Sequence, residues 1–133
     1  MSCGCGGCIT RGGICVPRGD DTTVIFSVYD SDDSQYDISG ATEIVFIVAE
    51  GVVVGGNIGP GGAVLIEKRL SLDEIVIAGT LFQFTVAIDA ADTTGFAISR
   101  NYYEVQVTTS SGLKKTVANG VFTSQNTMIK DIV

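Results

Sequence analysis

The chain has 133 residues, 45% of them hydrophobic, which suits one domain with a buried core and is too apolar for a disordered polymer. Its net charge is −7 with only eight Lys and Arg, and these are scattered, so the basic stripe needed by a nucleic-acid or anionic-lipid partner is missing. No apolar run reaches the length of a membrane-spanning helix, and the lack of histidine removes the usual general base and triad partner.

The start, Met1-Ser2-Cys3-Gly4, lacks the basic-then-apolar pattern of a secretory signal. Residues 1–19 hold all four cysteines and six glycines, and residues 20–133 hold no cysteine. This contrast predicts a Cys/Gly-rich arm over 1–19 and a single domain over 20–133, with a boundary near Pro17-Arg18-Gly19. The spacing of Cys3, Cys5, Cys8 and Cys15 is C-x-C-x2-C-x6-C. Four thiolates on a glycine-rich segment could wrap zinc or an iron–sulfur cluster, with thiolates as the only ligands. The spacing is standard for neither. Disulfides, within the chain or between copies, and free thiols are the other two readings. An arm this short cannot hold itself in place by packing, so it is also a candidate docking peptide.

Seven strands are predicted in the second region. The first, 23–30, puts Val24, Phe26 and Val28 on one face. The second, 42–50, is apolar on both faces from Ile44 to Val48, as expected of a strand covered on both sides. The third covers 63–70 and the fourth 74–77. The fifth, 81–89, alternates Phe82, Phe84, Val86 and Ile88 inward with Gln83 and Thr85 outward. The sixth, 102–109, alternates Tyr103, Val105 and Val107 with Glu104, Gln106 and Thr108. The seventh covers 115–124. Period-two alternation with one polar face is the mark of half-buried antiparallel strands. Between the second and third strands, 51–62 reads as a long glycine-rich hairpin loop. Ser110-Ser111-Gly112 reads as a tight hairpin turn, and 90–94 as one helical turn capped by Asp89 and stopped by Gly95. The expectation is all-β: an immunoglobulin-like antiparallel sandwich of about seven strands with an N-terminal extension.

Asp30, Asp32, Asp33 and Asp37 could offer hard oxygens to calcium, but they do not follow the EF-hand spacing, and a solvated acidic turn accounts for them. Arg18-Gly19-Asp20 spells a cell-adhesion tripeptide, which in three residues is commonly coincidence; its structural reading is a hinge into the first strand. No nucleophile–base pair or phosphate loop stands out, so an enzyme is not expected. Ile44, Phe46, Val48, Val52, Val54 and Ile58 are the candidate interaction residues, as the apolar positions of a two-faced strand and the open loop after it.

Asp20-Asp21-Thr22-Thr23 opens a strand that ends in Tyr29-Asp30-Ser31-Asp32. Asp37-Ile38-Ser39-Gly40-Ala41-Thr42 leads into the next. Phe84-Thr85-Val86-Ala87-Ile88 runs on to Ala91-Asp92-Thr93-Thr94-Gly95. Tyr102-Tyr103-Glu104-Val105-Gln106-Val107 is followed by Gly112 and by Gly120-Val121-Phe122-Thr123. Over roughly 20–125 this order resembles the immunoglobulin-like domain at the N-terminus of phage baseplate upper proteins and related tail-fibre and tail-associated proteins. Arg100-Asn101 stands where such domains often carry a glycine before the paired tyrosines, and the cysteine-rich leader is not part of that domain. The resemblance implies a non-enzymatic virion protein assembled in the host cytoplasm. It would sit in a tail, baseplate or fibre attachment, with other virion proteins and further copies of itself as partners. A capsid decoration or head-fibre protein, and a cysteine-based zinc or iron–sulfur module, are the alternatives. Carbohydrate or receptor binding through the loops is a third class, although 51–62 has no aromatic residue.

Overall fold

A computed structural model describes residues 8–10, 13–19, 21–29, 32, 34–54, 57–77, 81–94 and 100–125. Two sheets form a sandwich. β1 (Cys8–Thr10), β2 (Gly13–Pro17), β4 (Glu43–Val54), β5 (Asn57–Arg69), β8 (Arg100–Thr108) and β9 (Lys114–Gln125) make the larger sheet, in the order β1-β2-β9-β8-β4-β5. β3 (Thr22–Ser27), β6 (Ile75–Ile77) and β7 (Gln83–Ile88) make the smaller one, in the order β3-β7-β6. Every ladder is antiparallel except β2–β9, which is parallel. Read as B-E-D facing G-F-C-C′, with the first strand beside the last, this is the immunoglobulin-type order the pattern predicts.

Alternation decides which side chains go inside. In β3, Val24 and Phe26 are buried while Thr23, Ile25 and Ser27 are exposed. Their cross-strand partners Val86 and Phe84 are buried as well. From the larger sheet Ile44, Phe46, Val48, Tyr103, Val105, Val107 and Phe122 meet them. Phe26 of the small sheet lies 4.9 Å from Phe84, 5.8 Å from Phe46 and 6.0 Å from Tyr103, ring centre to ring centre, so one ring joins both layers. Ile38 plugs one end of the core, and its N–H donates to the Leu81 carbonyl at 2.8 Å.

The helical turn α1 (Ala90–Thr93) sits between β7 and β8 where the sequence places it. Asp92 Oδ2 accepts the Asp89 N–H at 2.7 Å, and Asp21 Oδ1 accepts the Ala90 N–H at 2.7 Å. These carboxylates satisfy amides that a helix start leaves without intrahelical partners. Lys68 points inward from β5, is 8% exposed, and reaches Asp92 at 2.9 Å. The buried Thr93 hydroxyl accepts the Gly19 N–H at 2.7 Å, with Gly19 in the left-handed region at φ 77°. The expected stop at Gly95 lies outside the described residues.

Three expectations change. First, part of the segment predicted as an arm is sheet. β2 pairs with β9 through Ile14↔Phe122 to Pro17↔Gln125, and Ile14 and Val16 are core residues. The sandwich therefore begins by Gly13, not at residue 20, because Ile-Cys-Val supplies one more strand of inward alternation. Second, much of the predicted loop 51–62 is strand. β4 and β5 stay paired through Gly51↔Pro60, Val52↔Gly59, Val53↔Ile58 and Val54↔Asn57, with irregular register near Ala49. Glycine lacks a side chain to pack but keeps both backbone hydrogen-bonding groups, so a glycine-rich ladder still closes. Third, Ile44, Phe46 and Val48, predicted as contact residues, are 0% exposed. They are core, and Val45 and Ile47 are the side chains that β4 turns outward.

Candidate interaction surfaces

The structure offers three surfaces suited to recognition, each set by strand alternation. The first is the outer face of the larger sheet. Val45 and Ile47 on β4 lie between Arg69 and Glu67 on β5 and Gln106 and Glu104 on β8. They floor a groove of about 360 Å³ whose walls include Glu43, Arg69, Glu104 and Lys114. A smaller depression of about 140 Å³, lined by Ile47, Ala49, Tyr102 and Glu104, continues it. The charges are locally matched. Arg69 reaches Glu67 at 2.7 Å and Glu43 at 3.6 Å. Glu43 also accepts the Ser71 hydroxyl at 2.6 Å and the Ser71 N–H at 2.9 Å. Burial alone would raise the Glu43 pKa, but the Ser71 bonds, the Ile44 amide and Arg69 outweigh it and hold the carboxyl below its ordinary value. Tyr102 moves the other way, its phenol raised by burial first and then by the Glu104 charge and hydrogen bond. An apolar floor with a polar rim is the anatomy of a protein-binding patch.

The second surface is the far end of the β4–β5 ribbon. Among the described residues β8 pairs with β4 no further than Ala49↔Tyr102, whereas β5 follows β4 to Val54↔Asn57. Residues 51–66 contain no charged side chain. Val52, Val54 and Ile58, three of the predicted contact residues, occupy this ribbon.

The third surface is the outer face of the small sheet. Its rows run Thr23–Ala87, then Ile25–Thr85–Val76, then Ser27–Gln83, where the Gln83 amide donates to the Ser27 hydroxyl at 3.0 Å. The Val28 N–H to Phe82 carbonyl bond, 2.9 Å, carries the ladder one step further, and the Tyr29 ring packs against Phe82 at 5.8 Å. None of these side chains is charged. The charged groups Lys68, Asp73, Glu74 and Asp89 line a depression of about 330 Å³ together with Thr23, Val76, Thr85 and Ala87 of this face, so charge borders its central row. Sequence alternation marks each of these residues as outward, but no local signal puts them side by side.

The predicted ligand residues fare differently. Cys3 and Cys5 lie outside the described residues. Cys8 stands directly across from Cys15 in the β1–β2 register, and Cys15 is disulfide-bonded. A disulfide engages two of the four cysteines, so this state and an all-thiolate tetrahedral metal site exclude one another. Asp30 and Asp33 also lie outside the described residues. Asp32 Oδ1 accepts the Ser34 hydroxyl at 2.6 Å and the Ser34 N–H at 3.2 Å, and Asp37 Oδ1 accepts the Ser39 N–H at 2.8 Å. These serine bonds lower both carboxyl pKa values and make each aspartate the first residue of a local turn. Among the described residues no group of three metal-ligating side chains converges. Of the Arg18-Gly19-Asp20 tripeptide, Gly19 is buried against Thr93, and Asp20 lies outside the described residues.

These surfaces and their order of strands define the protein as a β-sandwich of immunoglobulin type with broad faces and an extended hairpin. Comparison with protein-family models, with curated proteins and with solved structures finds no match.

Proposed function

We propose that this chain is a structural domain of a bacteriophage particle, placed in the tail, baseplate or fibre attachment and acting by contact with other particle proteins rather than by catalysis. The observation that carries the reading is the β4–β5 ribbon. Among the described residues it runs four register pairs past the last β4–β8 pair, and residues 51–66 carry no charge in a chain of net charge −7. A two-stranded ribbon is marginally stable alone in water and gains by lying against another sheet or adding to its edge. The motif order over 20–125, which resembles phage baseplate upper domains, points to the kind of assembly, and the sandwich is the fold that resemblance implies.

The test is mass spectrometry of purified particles with quantification against the major capsid protein. A copy number from a few to some dozens per particle supports a tail, baseplate or fibre position. Hundreds of copies would move the protein to the capsid surface as a decoration, and its absence from particles would remove the proposal. Replacing the charge-free tip by a short turn should leave the sandwich folded and abolish incorporation.

A further inference from the structure

We infer that the β4–β5 ribbon is a jointed arm, swinging as a unit about a seam at residues 49–51 and 60–64 and held to the sandwich by two side-chain latches. The seam is where the ladder fails on both sides of β4 at once. On one side, among the described residues, β8 pairs with β4 up to Ala49↔Tyr102 and no further. On the other, β4 advances three residues from Val48 to Gly51 while β5 advances six from Ile66 to Pro60, with register shifts on either side of Ala49↔Val64. Beyond the seam the pairing is regular again, from Gly51↔Pro60 to Val54↔Asn57. Extra residues on one strand disrupt the ladder locally and let that strand bend. Regular pairing on both sides of a short irregular step is the layout of a hinge, in which a few residues take up the change of angle.

Side chains stand in for the missing ladder bonds. The Gly51 N–H donates to Asn101 Oδ1 at 3.3 Å, and the Ala63 N–H donates to Glu50 Oε1 at 3.2 Å. Asn101 is fully buried in the inward row of β8 that continues through Tyr103 and Val105, and an apolar side chain there would leave the Gly51 amide without this acceptor. Glu50 lies over Gly62, where an added β-carbon would come within 2.5 Å of Glu50 Oε1 and 2.6 Å of its Cβ. The bare backbone at Gly62 is thus what lets Glu50 reach Ala63. Both bonds are at the long end of the range for N–H···O contacts, and a bond to a side chain is released by a rotamer change that leaves both strands intact. Latched and released arms therefore differ by two such bonds, while the pairs beyond the seam are common to both. A pivot of this kind lets one hairpin meet surfaces presented at different angles. Particle incorporation plays no part in detecting it, so the joint and the proposed assembly stand or fall separately.

The experiment is solution NMR of the full chain, with amide hydrogen exchange and residual dipolar couplings, which average motions on the timescale of hinges. Couplings of the β8 and β9 amides define the frame of the sandwich. In Glu50→Ala and in Gly62→Ala the Ala63 amide should exchange roughly fivefold faster, the factor that one ordinary hydrogen bond supplies. The couplings of residues 52–54 and 57–59 should shrink together by a common factor relative to that frame, with their exchange unchanged. Glu50→Gln keeps an acceptor oxygen and should behave as the wild type. Asn101→Ala tests the other latch at the Gly51 amide; the Glu50 and Gly62 variants carry the test should it fold poorly. Ribbon couplings that fit the sandwich frame at full magnitude in wild type and variants alike would overturn the inference. So would couplings lost together with the ribbon's exchange protection, which is unzipping and not swinging.

Discussion

The ring of Phe26 lies 4.9 Å from that of Phe84, with their planes 13° apart, and Phe84 is its directly opposite partner across the β3–β7 ladder. The same Phe26 ring is 5.8 Å from Phe46 in the other sheet, so a cross-strand pair and the contact between layers share one side chain. Phe26 is 2% exposed, and Phe46 and Phe84 are fully buried. Phe26→Ala is expected to cost about 3–5 kcal/mol, and Phe26→Leu markedly less. Urea unfolding of the three proteins measures the difference. A loss below about 1 kcal/mol for the alanine variant would show that the layers are not joined at this ring.

Lys68 gives a second prediction. Its side chain is 11% exposed and its ammonium is 2.9 Å from Asp92, a residue of α1 that is 24% exposed. Removing one partner from a largely buried pair leaves the other charge poorly compensated, and Lys68 without Asp92 would keep only Asp89, at 4.0 Å. Asp92→Asn should therefore cost about 2–3 kcal/mol, and it also weakens the bond that holds the Asp89 amide. Lys68→Met fills the same space without charge and should cost less than Asp92→Asn. A double-mutant cycle built on Lys68→Met and Asp92→Asn separates the pair from the helix-start contribution.

Much of the fold was legible in the sequence, for a reason visible in particular residues. Phe84-Thr85-Val86-Ala87-Ile88 and Tyr103-Glu104-Val105-Gln106-Val107 alternate so regularly that strand and inward face follow together. β2 was hidden because Ile14 and Val16 give only two inward positions among glycines and cysteines, and its partner β9 is a hundred residues away in sequence. In Ile44-Val45-Phe46-Ile47-Val48 both faces are apolar, so local pattern shows a strand without saying which face is core. The ladder to Tyr103 and Val105 decides that. The outer face of the small sheet was less legible still, because the row Ile25–Thr85–Val76 exists only once three separated segments find their register.

Tyr103 carries a prediction about alkaline pH. Burial, with a smaller contribution from Tyr102, pushes its phenol up to about 12, against about 10 in an unfolded chain. Above the unfolded value the open chain loses this proton while the folded chain keeps it. Stability from this group is thus intact below about pH 10 and falls as pH rises toward the folded value. Tyr103→Phe removes this group's contribution. Urea midpoints of wild type and variant should converge, or cross, between about pH 10 and 12, relative to their separation at neutral pH. Parallel curves over that interval would show that the phenol is not protected.

The state of Cys15 makes a fourth. With Cys15 in a disulfide, a reductant should lower the unfolding midpoint by the equivalent of about 2–4 kcal/mol. Cys15→Ser should begin at a lower midpoint and respond less to the reductant. Zinc added to the oxidised protein should leave the midpoint unchanged, with no stoichiometric metal by elemental analysis. Tight uptake of one zinc per chain without reductant would favour the thiolate reading instead.

The parallel ladder between β2 and β9 has a mechanical consequence. Because the strands run the same way, the start of β2 at Gly13 and the end of β9 at Gln125 lie toward opposite ends of the ladder. Tension drawn between those two points runs along the strands. The pairings from Ile14↔Phe122 to Pro17↔Gln125 must then slip in shear together, instead of peeling one after another. A brick built this way resists stretching along its length better than prying at its edge.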